Sequence, residues 1–182
     1  MTTYISLLRG INVSGYNIIK MDHLKKMMNS LGFEHVKTYI QSGNIIYQSK
    51  QNDISKLSEN IKNEILKVFG FDVQVQTLTM DSLEKVIFNN PYAKPPFNLA
   101  LLHVTFLSAI PTPEKIDFLK TVEIKNDSFE IIEQSMYLYC RNGYGNSKLT
   151  NTFIENKLKV GTTTRNWKTC NELFNIAKKV NE

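Results

Sequence analysis

The residues best suited to chemistry in this chain are its arginines. Of 22 basic residues only Arg9, Arg141 and Arg165 are arginine; the rest are lysine. Each arginine has an asparagine close after it, in "RGIN", "RNG" and "RNW". Where lysine is the default cation, an arginine marks a place where a planar, always-charged fork of donors matters. The chemistry that fork serves is bidentate recognition of phosphate or carboxylate.

Three cations also stand just before segments of helical periodicity: Lys20 before Met21, Lys148 before Leu149, and Arg165 before Trp167. A helix N-terminus is electropositive, so a cation in the first turn costs about 0.3 to 1 kcal/mol at an exposed site. Two of these entries share a spacing, Gly15-Tyr16-x-x-x-Lys20 and Gly143-Tyr144-x-x-x-Lys148. A glycine loop running into a helix start presents backbone N–H groups, and a nearby cation adds charge, which together suit an anion. The candidate ligand set is therefore Arg9 and Arg165 as forks, Lys148 as a point charge, and the N–H groups of Thr163, Thr164 and Arg165. Asn12, Gln41, Ser42, Asn44 and Asn166 would orient the ligand. For Lys20 or Lys148 taken alone, solvation or pairing with a neighbour such as Asp22 is the better explanation. Gly43 in "QSGN" is read as a turn residue.

Other chemistries find little support. "GYGNSKLT" lacks the GxxxxGK[ST] spacing of a phosphate-binding P-loop. His23, His35 and His103 have no paired-ligand spacing, so no metal site is expected. Cys140 and Cys170 read as core thiols. No GxSxG nucleophile turn is present, and no general base can be named, which leaves open whether the protein is an enzyme. No cofactor is indicated. The net charge of +5 and pI near 9.1 favour anionic partners in general. The leading expectation is a site for a phosphorylated small molecule or nucleotide. The alternatives are a nucleic-acid module reading the phosphate backbone and a structural role for the motifs. Tyr39, Tyr47, Tyr137 and Tyr139 lie on strand-like segments, but no RNA-recognition signature accompanies them.

The elements that must carry these residues can be read from periodicity. Tyr4–Leu8 suits a buried strand. Met21, Leu24, Met28 and Leu31 recur at helical spacing up to Gly32. Val36–Ile40 and Asn44–Gln48 suit two strands; Ile54, Leu57, Ile61, Ile65 and Val68 mark a second helix closed by Gly70; "DVQVQTL" alternates as a strand. The order is βαββαβ, the ferredoxin-like pattern. After an amphipathic segment at Asp81–Asn89, "NNPYAKPPFN" reads as a linker. "LALLHVTFL" then begins the pattern again: a helix from Thr112-Pro113 to about Val122, a hairpin of "SFEIIE" and "MYLYC", and a helix near Ser147–Leu158. "KVGTT" is at most a very short strand, and "GTTTRNW" is read as the opening of a last helix bearing Trp167, Cys170, Phe174 and Ala177.

The expected fold is α+β, two ferredoxin-like halves, the second with an extra C-terminal helix, divided as 1–90 and 91–182. No apolar run reaches the roughly 20 residues of a membrane span, and Arg9 cuts short the one N-terminal run that could serve as a signal. A cytoplasmic protein without a membrane partner is expected; the sequence does not fix its oligomeric state.

"LLRGINVSGYNIIKM", "TYIQSGNIIYQS", "YGNSKL" and "TTRNWKTCNEL" together closely resemble the signatures of a bacterial family catalogued as domain of unknown function 1697. The resemblance runs over nearly the whole chain. The chain departs from it at Ser14-Gly15-Tyr16, where the family has "GG" or "GK", and at Cys170, often valine. What it implies is a two-part α+β, ferredoxin-like, cytoplasmic protein with no established activity. It also implies that Arg9, Gly10, Asn12, Gln41–Asn44, Lys148 and Thr163–Trp167 are motif positions, most of them in loops.

Overall fold

A computed structural model describes residues 1–182 of the chain. Strand β1 (Thr2–Leu8) leads to helix α1 (Met21–Ser30), strands β2 (Glu34–Tyr39) and β3 (Asn44–Ser49), helix α2 (Ile54–Phe69), strand β4 (Val75–Thr79) and helix α3 (Met80–Phe88). The chain continues through β5 (Leu102–Leu107), α4 (Pro113–Lys120), β6 (Ser128–Ile132), β7 (Ser135–Tyr139), α5 (Asn151–Leu158), β8 (Thr162–Asn166) and α6 (Trp167–Asn181). The architecture is mixed α/β, with two four-stranded antiparallel sheets ordered β2-β3-β1-β4 and β6-β7-β5-β8. Two compact units result: Met1–Glu84 with Glu172–Glu182, and Lys85–Asn171.

In the first unit α1 and α2 bury Leu24, Met27, Met28, Leu57, Ile61 and Ile65 over one face of the sheet, against Tyr4, Leu8, Ile45 and Tyr47. Helix α2 has both ends specified locally. Asp53 accepts the Lys56 N–H at 3.1 Å, and Gly70 closes the helix at φ 81°. The C-terminal end of α6 is tied down here too: Thr3 Oγ1 donates to Asn181 Oδ1 at 3.1 Å and Gln48 Nε2 to the Val180 carbonyl at 3.0 Å. In the second unit α4 and α5 contribute Leu119, Ile154 and Leu158 to a core with Leu107, Met136, Leu138 and Cys140.

Two expectations about this half are corrected. Thr162–Asn166 is a strand paired with β5 from Leu107↔Thr162 to His103↔Asn166, so Arg165 lies in a sheet and α6 begins only at Trp167. Three consecutive β-branched threonines favour extended backbone, but a run without apolar residues shows no period by which a sequence reading could tell strand from helix. Lys148 likewise does not open a helix. Residues Tyr144–Asn146 form a single 3₁₀ turn, and α5 starts at Asn151, capped by Thr150 Oγ1 accepting the Phe153 N–H at 3.2 Å.

Candidate functional site

The motif residues of the first unit are drawn together by backbone geometry. Strand β1 ends at Leu8, whose N–H donates to the Gly43 carbonyl at 2.7 Å, so the turn before β3 lies beside the start of the polar loop. Gly43 sits at φ +77°, and a Cβ there would stand 2.6 Å from Leu8 Cβ and 2.9 Å from Ile11 Cδ1. Only glycine lets the two segments approach this closely.

Asn12 then fastens the loop. Its Oδ1 accepts the Ile19 N–H at 2.9 Å, and its Nδ2 donates to the carbonyls of Ile19 (3.0 Å) and Gln41 (2.8 Å). The Asn12 N–H donates to the Asn17 carbonyl at 3.1 Å, and Asn17 Nδ2 to the Gly10 carbonyl at 3.1 Å. Residues 10–12 are thereby held against 17–19 as the neck of a closed loop, with Arg9 entering it and Lys20 leaving it. Past the neck, α1 begins after an extended Lys20 without a side-chain cap, and Asp22 in the first turn supplies one negative charge toward its dipole. Arg9 is half-buried, and its NH1 donates to Gln74 Oε1 at 3.2 Å. Asn44, fully buried, donates to the Tyr39 carbonyl at 3.0 Å and to Ser42 Oγ at 2.9 Å, while the Gln41 side chain is exposed.

The motif residues of the second unit do other work. Arg165 is 8% exposed. Its NH1 donates to Thr163 Oγ1 and to the Thr164 carbonyl, both at 2.9 Å. Burial pushes its guanidinium down to about 10 from an ordinary value above 12, and the neighbouring Cys170 opposes that shift. Thr164 Oγ1 donates to Asn151 Oδ1 at 2.8 Å, so Thr105 Oγ1, 2.8 Å away, is the donor to Thr164. The backbone of Thr163–Arg165 is engaged in the ladder with β5 rather than laid out at a helix start. Asn166 serves as a cap: its Oδ1 accepts the Thr169 N–H at 2.7 Å in the first turn of α6. Lys148 Nζ reaches the Glu123 carbonyl at 3.0 Å, well along the chain from β8.

Three residues outside the expected set organise these loops. Asn17 closes the first neck. Asn151 Oδ1 accepts hydrogen bonds from the hydroxyls of Thr162 and Thr164. Asp127 accepts the Arg141 N–H at 3.0 Å and the Ser147 hydroxyl at 2.6 Å, which shapes the loop before α5. Asparagines and a loop aspartate carry no periodicity, so in sequence they are indistinguishable from turn-makers.

Both cysteines are buried, and burial raises their thiols, to about 11 for Cys140 and about 12 for Cys170. His103 is lowered, mainly by burial, and stacks on Tyr144 with ring centroids 4.8 Å apart. Tyr47 and Tyr137 are essentially unexposed, which removes them as stacking platforms for RNA bases.

A family model described as "Protein of unknown function (DUF1697)" matches residues 1–137. The chain belongs to this family. Arg9, Asn12, Gln41, Ser42 and Asn44 lie inside the DUF1697 match, and Lys148 and the β8 residues lie beyond it. Among solved structures, the chain is similar to the conserved bacterial protein SP0830 from Streptococcus pneumoniae, at 23% identity and a TM-score of 0.76, over 97% of this chain and 98% of that one. At that identity the likeness speaks for the fold alone. No curated protein matches the chain. No helix is long and apolar enough to cross a membrane.

Proposed function

We propose that the protein binds a small phosphorylated molecule or nucleotide at the neck of the loop between β1 and α1. The observation that carries this reading is the hydrogen-bonded neck itself. The Asn12 and Asn17 bonds hold residues 10–12 against 17–19, so that Arg9 leads into the neck and Lys20 leads out of it at the uncapped start of α1. A fork, a point charge and backbone N–H groups at a helix start are the parts of an anion site. The reading is of a binding protein in the cytoplasm. Within the same proposal each unit is a ferredoxin-like sandwich, supported by the chain order βαββαβ in both and by the matching strand orders.

Arg165 fits a structural reading better. It is buried, and it hydrogen-bonds to its own strand neighbours. Nucleic-acid backbone binding remains the competing use of the basic loop.

A thermal-shift series with inorganic phosphate, nucleotides and sugar phosphates tests the proposal on wild type, Arg9→Ala and Lys20→Ala. A ligand at 100 times its Kd adds about 2.7 kcal/mol to wild type, and both variants lose most of it. If no anion stabilises wild type, or the variants gain equally, the neck is not a binding site. Binding to an oligonucleotide that weakens by orders of magnitude between about 50 and 200 mM salt would select the nucleic-acid alternative instead.

A further inference from the structure

The tip of the motif loop spends none of its large side chains on the core. Ile11 and Ile19, on the two sides of the neck, are buried at 1% and 2% exposure, whereas Val13, Tyr16 and Ile18 beyond it are 57%, 75% and 57% exposed. The tip is nonetheless ordered by its own backbone. The Tyr16 N–H donates to the Val13 carbonyl at 2.9 Å, and the two residues form an antiparallel bridge.

A fourth apolar side chain joins them. Asn12 Nδ2 donates to the Gln41 carbonyl at 2.8 Å, which holds the β2–β3 turn against the neck, and Ile40 next to Gln41 is 49% exposed. Ile40 sits at φ +48°, where a β-branched side chain is strained and glycine or asparagine is easier. Neither the core nor the turn explains an isoleucine there. The charge around these side chains has one sign. From Arg9 to Lys20 and from Val36 to Asn44 the chain carries Arg9, Lys20 and Lys37 and no acid; Asp22 and Glu34 lie two residues outside those segments.

Four such side chains bury on the order of a few hundred Å², well short of the roughly 800 Å² per partner of a stable protein interface. A bilayer needs neither that area nor a complementary groove. A few apolar and aromatic side chains in the headgroup boundary, with cations behind them against anionic lipid, give reversible attachment. We propose that Val13, Tyr16, Ile18 and Ile40 enter the interface of an anionic phospholipid bilayer, with Arg9 and Lys20 behind them at the level of the lipid phosphates. This rests on the neck as a phosphate site: the phosphate it takes is then that of a lipid headgroup. The expectation of no membrane partner came from the lack of a spanning segment, which interfacial attachment does not need.

The test is cosedimentation of the full chain with vesicles of phosphatidylcholine, alone or with about one third phosphatidylglycerol, beside a thermal-shift titration with soluble glycerol 3-phosphate. Wild type should pellet about tenfold or more strongly with the anionic vesicles, and less as salt rises. The double variant Val13→Ser, Ile18→Ser changes exposed positions, and a thermal melt confirms its fold. It should lose about tenfold or more of the vesicle binding and keep the wild-type response to glycerol 3-phosphate. Tyr16→Trp adds a fluorophore whose emission should shift to the blue on anionic vesicles, over the constant background of buried Trp167. Absence of pelleting with anionic vesicles overturns the proposal, as does equal pelleting with neutral ones, equal pelleting of the serine variant, or an unshifted Tyr16→Trp. Dimerisation that the serine variant abolishes, without vesicle binding, overturns it in favour of a second copy of the chain. Glycerol 3-phosphate binding that Arg9→Ala abolishes, with no vesicle binding, leaves the neck reading standing and the membrane one fallen. Tip-dependent vesicle binding that is indifferent to Arg9→Ala and Lys20→Ala keeps the tip in the bilayer and sinks the neck reading.

Discussion

Replacing Gly43 by alanine tests the claim that the motif loop is built on a close approach rather than on a generic turn. Two costs arise. The residue sits at φ +77°, where an L side chain pays roughly 1 to 2 kcal/mol. The new Cβ would also stand 2.6 Å from Leu8 Cβ and 3.0 Å from Ile11 Cγ1. Leu8 Cβ is anchored to a strand in the core and cannot swing aside, so the overlap is relieved only by moving backbone, for about 1 to 3 kcal/mol more. The sum is about 2 to 5 kcal/mol, or roughly 4 to 20 °C in Tm for a chain of this size. Gly10→Ala is the internal control. Its φ is +70°, but nothing lies within 4 Å of a Cβ there, so it should lose only the conformational part, about 1 to 2 kcal/mol. The assay is urea unfolding with hydrogen exchange at the amides of Leu8 and Ile45, which report the first unit directly; Trp167 belongs to the second. Equal losses for the two alanines would refute the close-approach argument, because only Gly43 faces an obstruction.

Further outcomes follow from the same contacts. Asn12→Ala removes one acceptor and two donor bonds, at about 0.5 to 1.5 kcal/mol each, and frees the loop neck. Limited proteolysis should then cut between Val13 and Ile18 in the variant while wild type resists. Stability should also fall in alkali. Burial raises Cys140 to about 11 and Cys170, Tyr47 and Tyr137 to about 12, against ordinary values of 9 for the thiols and 10 for the tyrosines. The folded state therefore holds protons that the unfolded chain releases. This contribution is complete below pH 9 and is lost as pH rises through about 12. Denaturant midpoints from pH 8 to 12 should decline, and a flat profile would contradict the burial of these groups.

Much of the architecture could be read from the chain because its cause is local. The α2 boundaries are written in Asp53 and Gly70, and the first-half strands and helices follow hydrophobic period. Family membership was legible for a similar reason, since the motifs are contiguous strings. The identity of Arg165's element was not. "TTTR" is strand only because β5 offers a partner whose sequence lies some sixty residues earlier, and no local signal announces that pairing.

The same division applies to the candidate sites. Sequence alone determined which residues are polar, rare or glycine in the motif loops, and so which could meet an anion. Tertiary structure decided how each is used. Asn12 and Asn44 spend their amides on carbonyls of the fold, Arg165 is buried, and Gly43 is glycine because Leu8 lies against it. A side chain's chemistry is set by its covalent structure, whereas its availability depends on which distant backbone reaches it first, and only the folded chain fixes that.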